Sequence, residues 1–198
     1  FNPSNTGNIR GSSRFTLSDS LVLTVDPSYQ YVKANGGGTI TAKEGLSPDG
    51  FTGYMFDATP GVRKSFAFFG RDLNGDGDAL HTVNLLSPSQ TRPDRLGVIA
   101  NLRRNINDNH TLRFGYTWDS ARHRQTGQFG SLQANGVPFD VFPMDNPEAD
   151  VDGNIVQKRN RLSYAILHQV SGEYRGEFLD GSLIATVGIR APFMKSNL

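Results

Sequence analysis

The stretch Asp94–Gln125, DRLGVIANLRRNINDNHTLRFGYTWDSARHRQ, limits the possible folds more than any other part of the chain. Leu96, Val98, Ala100 and Leu102 recur at every second position. Arg95, Gly97, Asn101 and Arg103 lie between them, with Ile99 as the exception. After Asn107-Asp108-Asn109 the alternation resumes, with Leu112, Phe114, Tyr116 and Trp118 set against Thr111, Arg113, Gly115, Thr117 and Asp119. Successive side chains of a strand point to opposite faces, so each arm reads as a strand with one apolar and one polar face. The Asn-Asp-Asn run is the tight turn between them, and the aromatic residues gather at the far end. Long two-faced strands, a short turn and an aromatic margin suit a membrane β-barrel hairpin.

The pattern recurs on both sides. Leu21, Leu23, Val25, Tyr29 and Tyr31 form one row over 21–33, broken by Pro27, and Thr24, Asp26, Ser28 and Gln30 form the other. Proline cannot donate to a ladder, so a distortion is expected there. A weaker alternation over 9–17 precedes it, across a turn at Ser18-Asp19-Ser20. From Lys158 onward, Leu162, Tyr164, Ile166, Val170 and Tyr174 share a face, interrupted by His168 and Gly172. Asp180-Gly181 is a two-residue hairpin signal, after which Leu183, Ala185, Val187, Ile189, Ala191 and Phe193 alternate with polar residues.

Between these strands lie two long connections. Residues 34–93 open with Gly36-Gly37-Gly38 and are punctuated by Gly45, Pro48, Gly50, Gly53, Pro60 and Gly61. The apolar runs Phe66–Phe69 and Val83–Leu86 are expected to be short strands. Residues 126–156 contain Asn135-Gly136, Pro138, Pro143, Pro147, Asp152-Gly153 and three phenylalanines. The order is strand, short turn, strand, long loop, repeated. In a transmembrane barrel the long loops belong to the extracellular side and the short turns to the other. The expected fold is all-β: an antiparallel up-and-down transmembrane barrel segment of about six long strands, forming one partial barrel domain over 1–198 with loops at about 34–93 and 126–156.

Composition is compatible with this. Hydrophobic residues make up 36% of the chain and no apolar run approaches the ~18 residues of a membrane helix. Alternating strands keep average hydropathy low, and here mean hydropathy is −0.42. A net charge of +1 gives no case for a nucleic-acid partner. Without cysteine there is no disulfide framework and no thiolate site. The chain begins at Phe1 and ends at Leu198 without a terminal device, and is expected to be an excerpt of a longer protein.

Several segments together resemble the barrel of a TonB-dependent outer-membrane receptor. They are Asp72-Leu-Asn-Gly-Asp-Gly-Asp78, Ser87-Pro-Ser, Arg95-Leu-Gly97, His110-Thr-Leu-Arg113, Tyr116-Thr-Trp-Asp119, Arg122-His-Arg-Gln-Thr-Gly127 and Gly188-Ile-Arg-Ala-Pro-Phe193. The resemblance implies a 22-stranded barrel around an N-terminal plug in the outer membrane of a Gram-negative bacterium, with import energised by the TonB complex. Its partners would be outer-membrane lipid, the plug and an imported small molecule or oligosaccharide. By that resemblance the sequence is expected to hold about six strands from the interior of the barrel, without the plug, the TonB box or the closing C-terminal strand.

The chemical candidates are few. Asp72, Asn74, Asp76 and Asp78 match the first half of an EF-hand loop and are candidate ligands for a structural calcium. Position twelve is Val83, so a complete EF-hand is rejected. Asp145, Glu148, Asp150 and Asp152 form a second acidic group, useful to a metal only if the loops meet. Arg122, His123 and Arg124 sit at a strand end, where they suit an anionic ligand. Phe129, Phe139 and Phe142 are candidate apolar ligand contacts. Arg10, Arg14, Arg95, Arg103, Arg113, Glu173, Arg175 and Arg190 fall on the polar rows, because an arginine facing lipid at mid-depth costs ~2–4 kcal/mol. No nucleophile elbow or phosphate-binding glycine loop occurs, so no catalytic residue is assigned and an enzyme is not expected. The alternatives are a secreted calcium-stabilised β-sandwich that binds glycans or partners, and a passive porin-type barrel.

Overall fold

The computed structural model describes residues 2–57 and 64–197, so Pro60 and Gly61 lie outside the described residues. Among these the chain is all-β, without a helix. The strands are β1 (Ser4–Arg10), β2 (Ser13–Ser18), β3 (Leu21–Gly36), β4 (Thr39–Lys43), β5 (Gly53–Asp57), β6 (Lys64–Phe68), β7 (Thr82–Leu86), β8 (Ser89–Asn105), β9 (His110–Gln128), β10 (Gln157–Phe178) and β11 (Leu183–Asn197). Seven form one sheet in the order β1-β3-β8-β9-β10-β11, with β2 also on β3. The other four form a second sheet, β5-β6-β4-β7. The long strands reach 16, 17, 19, 22 and 15 residues, against a usual length of about 5–6. Among the described residues the large sheet is open: β11 and the β1/β2 side have no further strand.

The chain divides into two compact units. The hairpin unit comprises Thr6–Tyr31, Pro93–His123 and Ser163–Leu198; the small-sheet unit comprises Phe1–Asn5, Val32–Arg92 and Arg124–Leu162.

In the hairpin unit the period-two rows face one another across strands. On β10 and β11, Tyr174 pairs with Val187, Val170 with Ala191 and His168 with Phe193, while Ser171 pairs with Arg190 and Arg175 with Thr186. On β2 and β3, Phe15 pairs with Leu23 and Arg14 with Thr24. The expected single strand over 9–17 is broken at Gly11-Ser12 instead. Gly11 N–H donates to the Pro27 carbonyl at 2.9 Å, so the break stands opposite the proline. The turns adjoin: Asn105 N–H donates to Ser20 O and Glu177 N–H to Asn109 O, both at 2.8 Å. At the last turn Asp180 and Gly181 have φ of 51° and 87°, and Ser182 N–H donates to Leu179 O at 3.0 Å. That is the backbone an Asp-Gly pair favours. The ladder stops at Phe178↔Leu183, however, so four residues rather than two make the connection.

The small-sheet unit contains every buried hydrophobic side chain among the described residues: Ile40, Ala42, Ala67, Phe68, Phe69, Leu85, Leu86, Phe129 and Val156. Strand alternation places Ile40 and Ala42 of β4 on one face. Leu85 lies opposite Ile40 across the antiparallel β4/β7 pair, and Ala67 lies beside Ala42 across the parallel β4/β6 pair. Phe129 enters from the second long connection. Its ring centroid lies 6.2 Å from Tyr54 and 6.3 Å, edge-on, from Phe69, and Leu86 and Gly130 exchange backbone hydrogen bonds of 2.8 and 3.0 Å. Further along, Lys33 pairs with Asp145 and stands 4.4 Å over the Phe142 ring. Fully buried Gln90 accepts from Met144 N–H at 2.8 Å. The long connections are therefore packed structure rather than irregular loop.

Candidate functional site

The Asp72–Asp78 loop closes largely on itself. Asp72 accepts backbone N–H groups of Asn74, Gly75 and Gly77 at 3.0, 2.6 and 2.9 Å. These bonds, Gly77 and Gly75 foremost, hold its carboxyl below the usual value. Asn74 donates its side-chain amide to Asp76 at 2.9 Å and accepts Asp76 N–H at 2.8 Å. Gly75 and Gly77, at φ 82° and 99°, supply the left-handed backbone these bonds require.

Two residues outside the motif complete the loop. Glu44, just past β4, is fully buried. It accepts N–H from Leu73, Asn74 and His81 at 2.9, 3.1 and 2.8 Å. Its backbone N–H donates to His81 O at 3.2 Å, continuing the β4/β7 ladder by one pair. His81 Nδ1 lies 3.0 Å from Asp76, 3.2 Å from Asp78 and 3.8 Å from Glu44. Ligand atoms of Glu44, Asp78 and His81 all lie within 4.8 Å of one another. Of the four expected calcium ligands, Asp76 and Asp78 thus gather at His81, while Asp72 and Asn74 are engaged within the loop. Backbone amides held by Asp72, Asp76 and Glu44 fix the loop's shape. Nothing in the spacing points to Glu44, 28 positions before Asp72.

The second acidic group is dispersed. Asp145 goes to Lys33, and Glu148 goes to Arg71 and Ser131. Asp150 accepts from the Thr52 hydroxyl at 2.7 Å and from Asp152 and Asn154 N–H at 3.0 and 2.8 Å. The Thr52 bond is the largest cause of its lowered pKa.

The expected ligand-contact residues also separate. Strand alternation puts Arg122 and Arg124 on one side of β9 and His123 on the other. Arg122 pairs with Asp94 at 3.5 Å. His123 lines a shallow groove of about 320 Å³ with Pro93, Ala121 and Ser163. Arg124 belongs to the small-sheet unit. Phe129 has no exposed surface, so it is a core residue and not a ligand contact. Phe142 is engaged by Lys33, and Phe139 stays 71% exposed.

The polar rows of the hairpin unit carry two larger grooves. One of about 460 Å³ includes Arg10, Ser12, Asp26, Arg95, Thr117 and Asp119. In it Arg95 Nε reaches both Asp119 oxygens at 2.9 and 2.8 Å, and Ser12 donates to Asp26 at 2.9 Å. The other, of about 330 Å³, is lined by Arg14, Val22, Thr24, Asn101, Arg103 and Arg113. Comparison with known proteins adds no assignment: no family model and no curated protein matches the chain.

Proposed function

We propose that this chain is part of the wall of an outer-membrane β-barrel, from a TonB-dependent uptake receptor, and that its long connections help capture the ligand outside the cell. One observation carries the membrane part. Among the described residues the hairpin unit has long apolar rows but no buried hydrophobic side chain; Leu96, Phe114, Val187 and Ile189 are all half-exposed or more. A water-soluble sheet buries such a row against another layer, whereas a barrel turns it to lipid.

The stagger of the turns supports the same reading. The Asp19-Ser20 turn is level with Asn105, the second turn begins beyond Asn105 and is level with Glu177, and the third begins beyond Phe178. Each hairpin thus steps past the last by about two to three residues, ~8 Å along the strands for ~10 Å across two of them. That is a slope of ~40°, within the ~35–45° tilt of barrel strands. On β10, Tyr164 and Tyr174 share the apolar row. Ten residues at that tilt span ~25 Å, the height of a lipid-facing band between aromatic girdles. TonB dependence and uptake rest on the sequence resemblance alone.

The test is site-directed spin labelling of the full-length protein in lipid, at Val98, Ala100, Leu112 and Phe114, with Asn101 and Arg113 as the opposite face. Oxygen accessibility at the first four and not at the last two is the expected result. Protection of the first four from both oxygen and a polar quencher would make that row a protein core and overturn the barrel.

A further inference from the structure

The groove between Arg14, Arg103 and Arg113 is lined by three arginines and no acid, whereas the larger groove sets Asp26 and Asp119 beside Arg10 and Arg95. These side chains come from three different strands, β2, β8 and β9, and their register is held by the ladders beneath them. In the larger groove of the same sheet Arg95 pairs with Asp119 at 2.8 Å, and Arg175 pairs with Glu177 at 2.8 Å. Here the lining itself holds no carboxylate, and only one of the three guanidinium groups is ion-paired among the described residues. Glu173 reaches Arg113 at 3.4 Å, Arg103 donates to the neutral Asn105 side chain at 3.2 Å, and no ion pair joins Arg14 to any described residue. Counting Arg14, Arg103 and Arg113 against Glu173 gives 3 − 1 = +2. All three arginines are solvent-exposed, and Thr24 and Asn101 add a hydroxyl and an amide to the lining.

We propose that this groove is a binding site for a small multivalent oxyanion of the phosphate class. Guanidinium groups present planar forks of donors that match the oxygens of phosphate or carboxylate two at a time. A dianion held among the three relieves their mutual repulsion and neutralises the +2 of the uncompensated set. A monovalent halide offers no oxygen geometry for the forks and half the charge. The groove's 330 Å³ exceeds the size of a bare phosphate, so an organic phosphate ester or a compact polycarboxylate fits the same chemistry. The lining comes only from the hairpin unit's own strands.

The experiment is calorimetric titration of the full chain in detergent with inorganic phosphate, then with citrate, at constant ionic strength set by sodium chloride. Saturable phosphate binding is expected. Arg14→Gln and Arg103→Gln should each weaken it about tenfold, the size of one charge-assisted hydrogen bond. Arg103→Lys keeps the charge but loses the fork, and should recover part of that loss. Arg190→Gln, on the same face of β11 but outside the groove, should change nothing. Tighter citrate than phosphate binding, lost in the same variants, would assign the site to polycarboxylates within the oxyanion class. Absence of saturable binding by either anion, or an equal loss in Arg190→Gln, would overturn the proposal. The spin-label result is independent of all these outcomes.

Discussion

Replacing Phe129 by alanine should loosen the small-sheet unit. The side chain is fully buried. Truncation to alanine removes roughly 140 Å² of buried apolar surface, ~3.5 kcal/mol at ~25 cal/mol per Å². The ring contacts to Tyr54 and Phe69, at 6.2 and 6.3 Å, add ~0.5–1.5 kcal/mol each. The lower end of that sum, ~4.5 kcal/mol, falls within the usual ~3–5 kcal/mol for Phe→Ala in a core. Native-state hydrogen exchange at Leu86 and Gly130 reads this directly, because their mutual hydrogen bonds join the Phe129 segment to β7. At ~1.4 kcal/mol per decade, their exchange should accelerate ~10³-fold. Phe139→Ala removes an exposed ring and should stay within ~0.5 kcal/mol of the parent. If Phe129→Ala changes exchange less than threefold, or no more than Phe139→Ala does, the placement of Phe129 in a core is wrong.

Glu44→Ala strips the partner from three amides and should destabilise the 72–81 loop by at least ~2 kcal/mol; unchanged exchange at Leu73, Asn74 and His81 would refute the anchoring role. Asp72 and Asp150 both have folded pKa values below the ordinary 3.8, so their stabilising contribution is complete above that value and disappears as pH falls through the depressed ones. The small-sheet unit should therefore loosen on acidification below about pH 4. Asp72→Asn and Asp150→Asn should flatten that transition when it is followed by hydrogen exchange, and an onset above pH 5 would assign it to other groups. Leu179 holds φ at 54° with its side chain exposed, so Leu179→Gly should stabilise the hairpin unit by up to ~1 kcal/mol. A loss of stability in detergent unfolding would show that its exposed side chain has a partner.

The two-faced strands were legible because strand alternation is a local property. The rows read from Leu96–Leu102 and Leu112–Trp118 needed no knowledge of what lay across from them, and the same held for Tyr164–Tyr174 and Val187–Phe193. Pro27 likewise announced a distortion, although the break itself fell on the partner strand at Gly11-Ser12. The two long connections carry no such period. Two short strands were expected there, β6 and β7, but β4 and β5 were not, and neither was the parallel pairing of β4 with β6. Parallel partners are joined by long crossovers, so no turn residue marks them.

The candidate residues divide along the same line. The Asp72–Asp78 spacing and its glycines foretold a tight acidic loop, because Asx bonds to following amides form within a few residues. Phe129, Phe139 and Phe142 looked equivalent in sequence, yet one became core, one stayed exposed and one was taken by Lys33. Sequence by itself determined which residues share a strand face, where the chain turns sharply and where charge is excluded from the apolar rows. Each follows from backbone geometry repeating over two residues. Only the tertiary structure decided that Glu44 meets His81, that Phe129 meets Phe69, and that Arg14, Arg103 and Arg113 border one groove. Those meetings depend on which distant segments pack together, and packing across dozens of residues leaves no periodic trace in the chain.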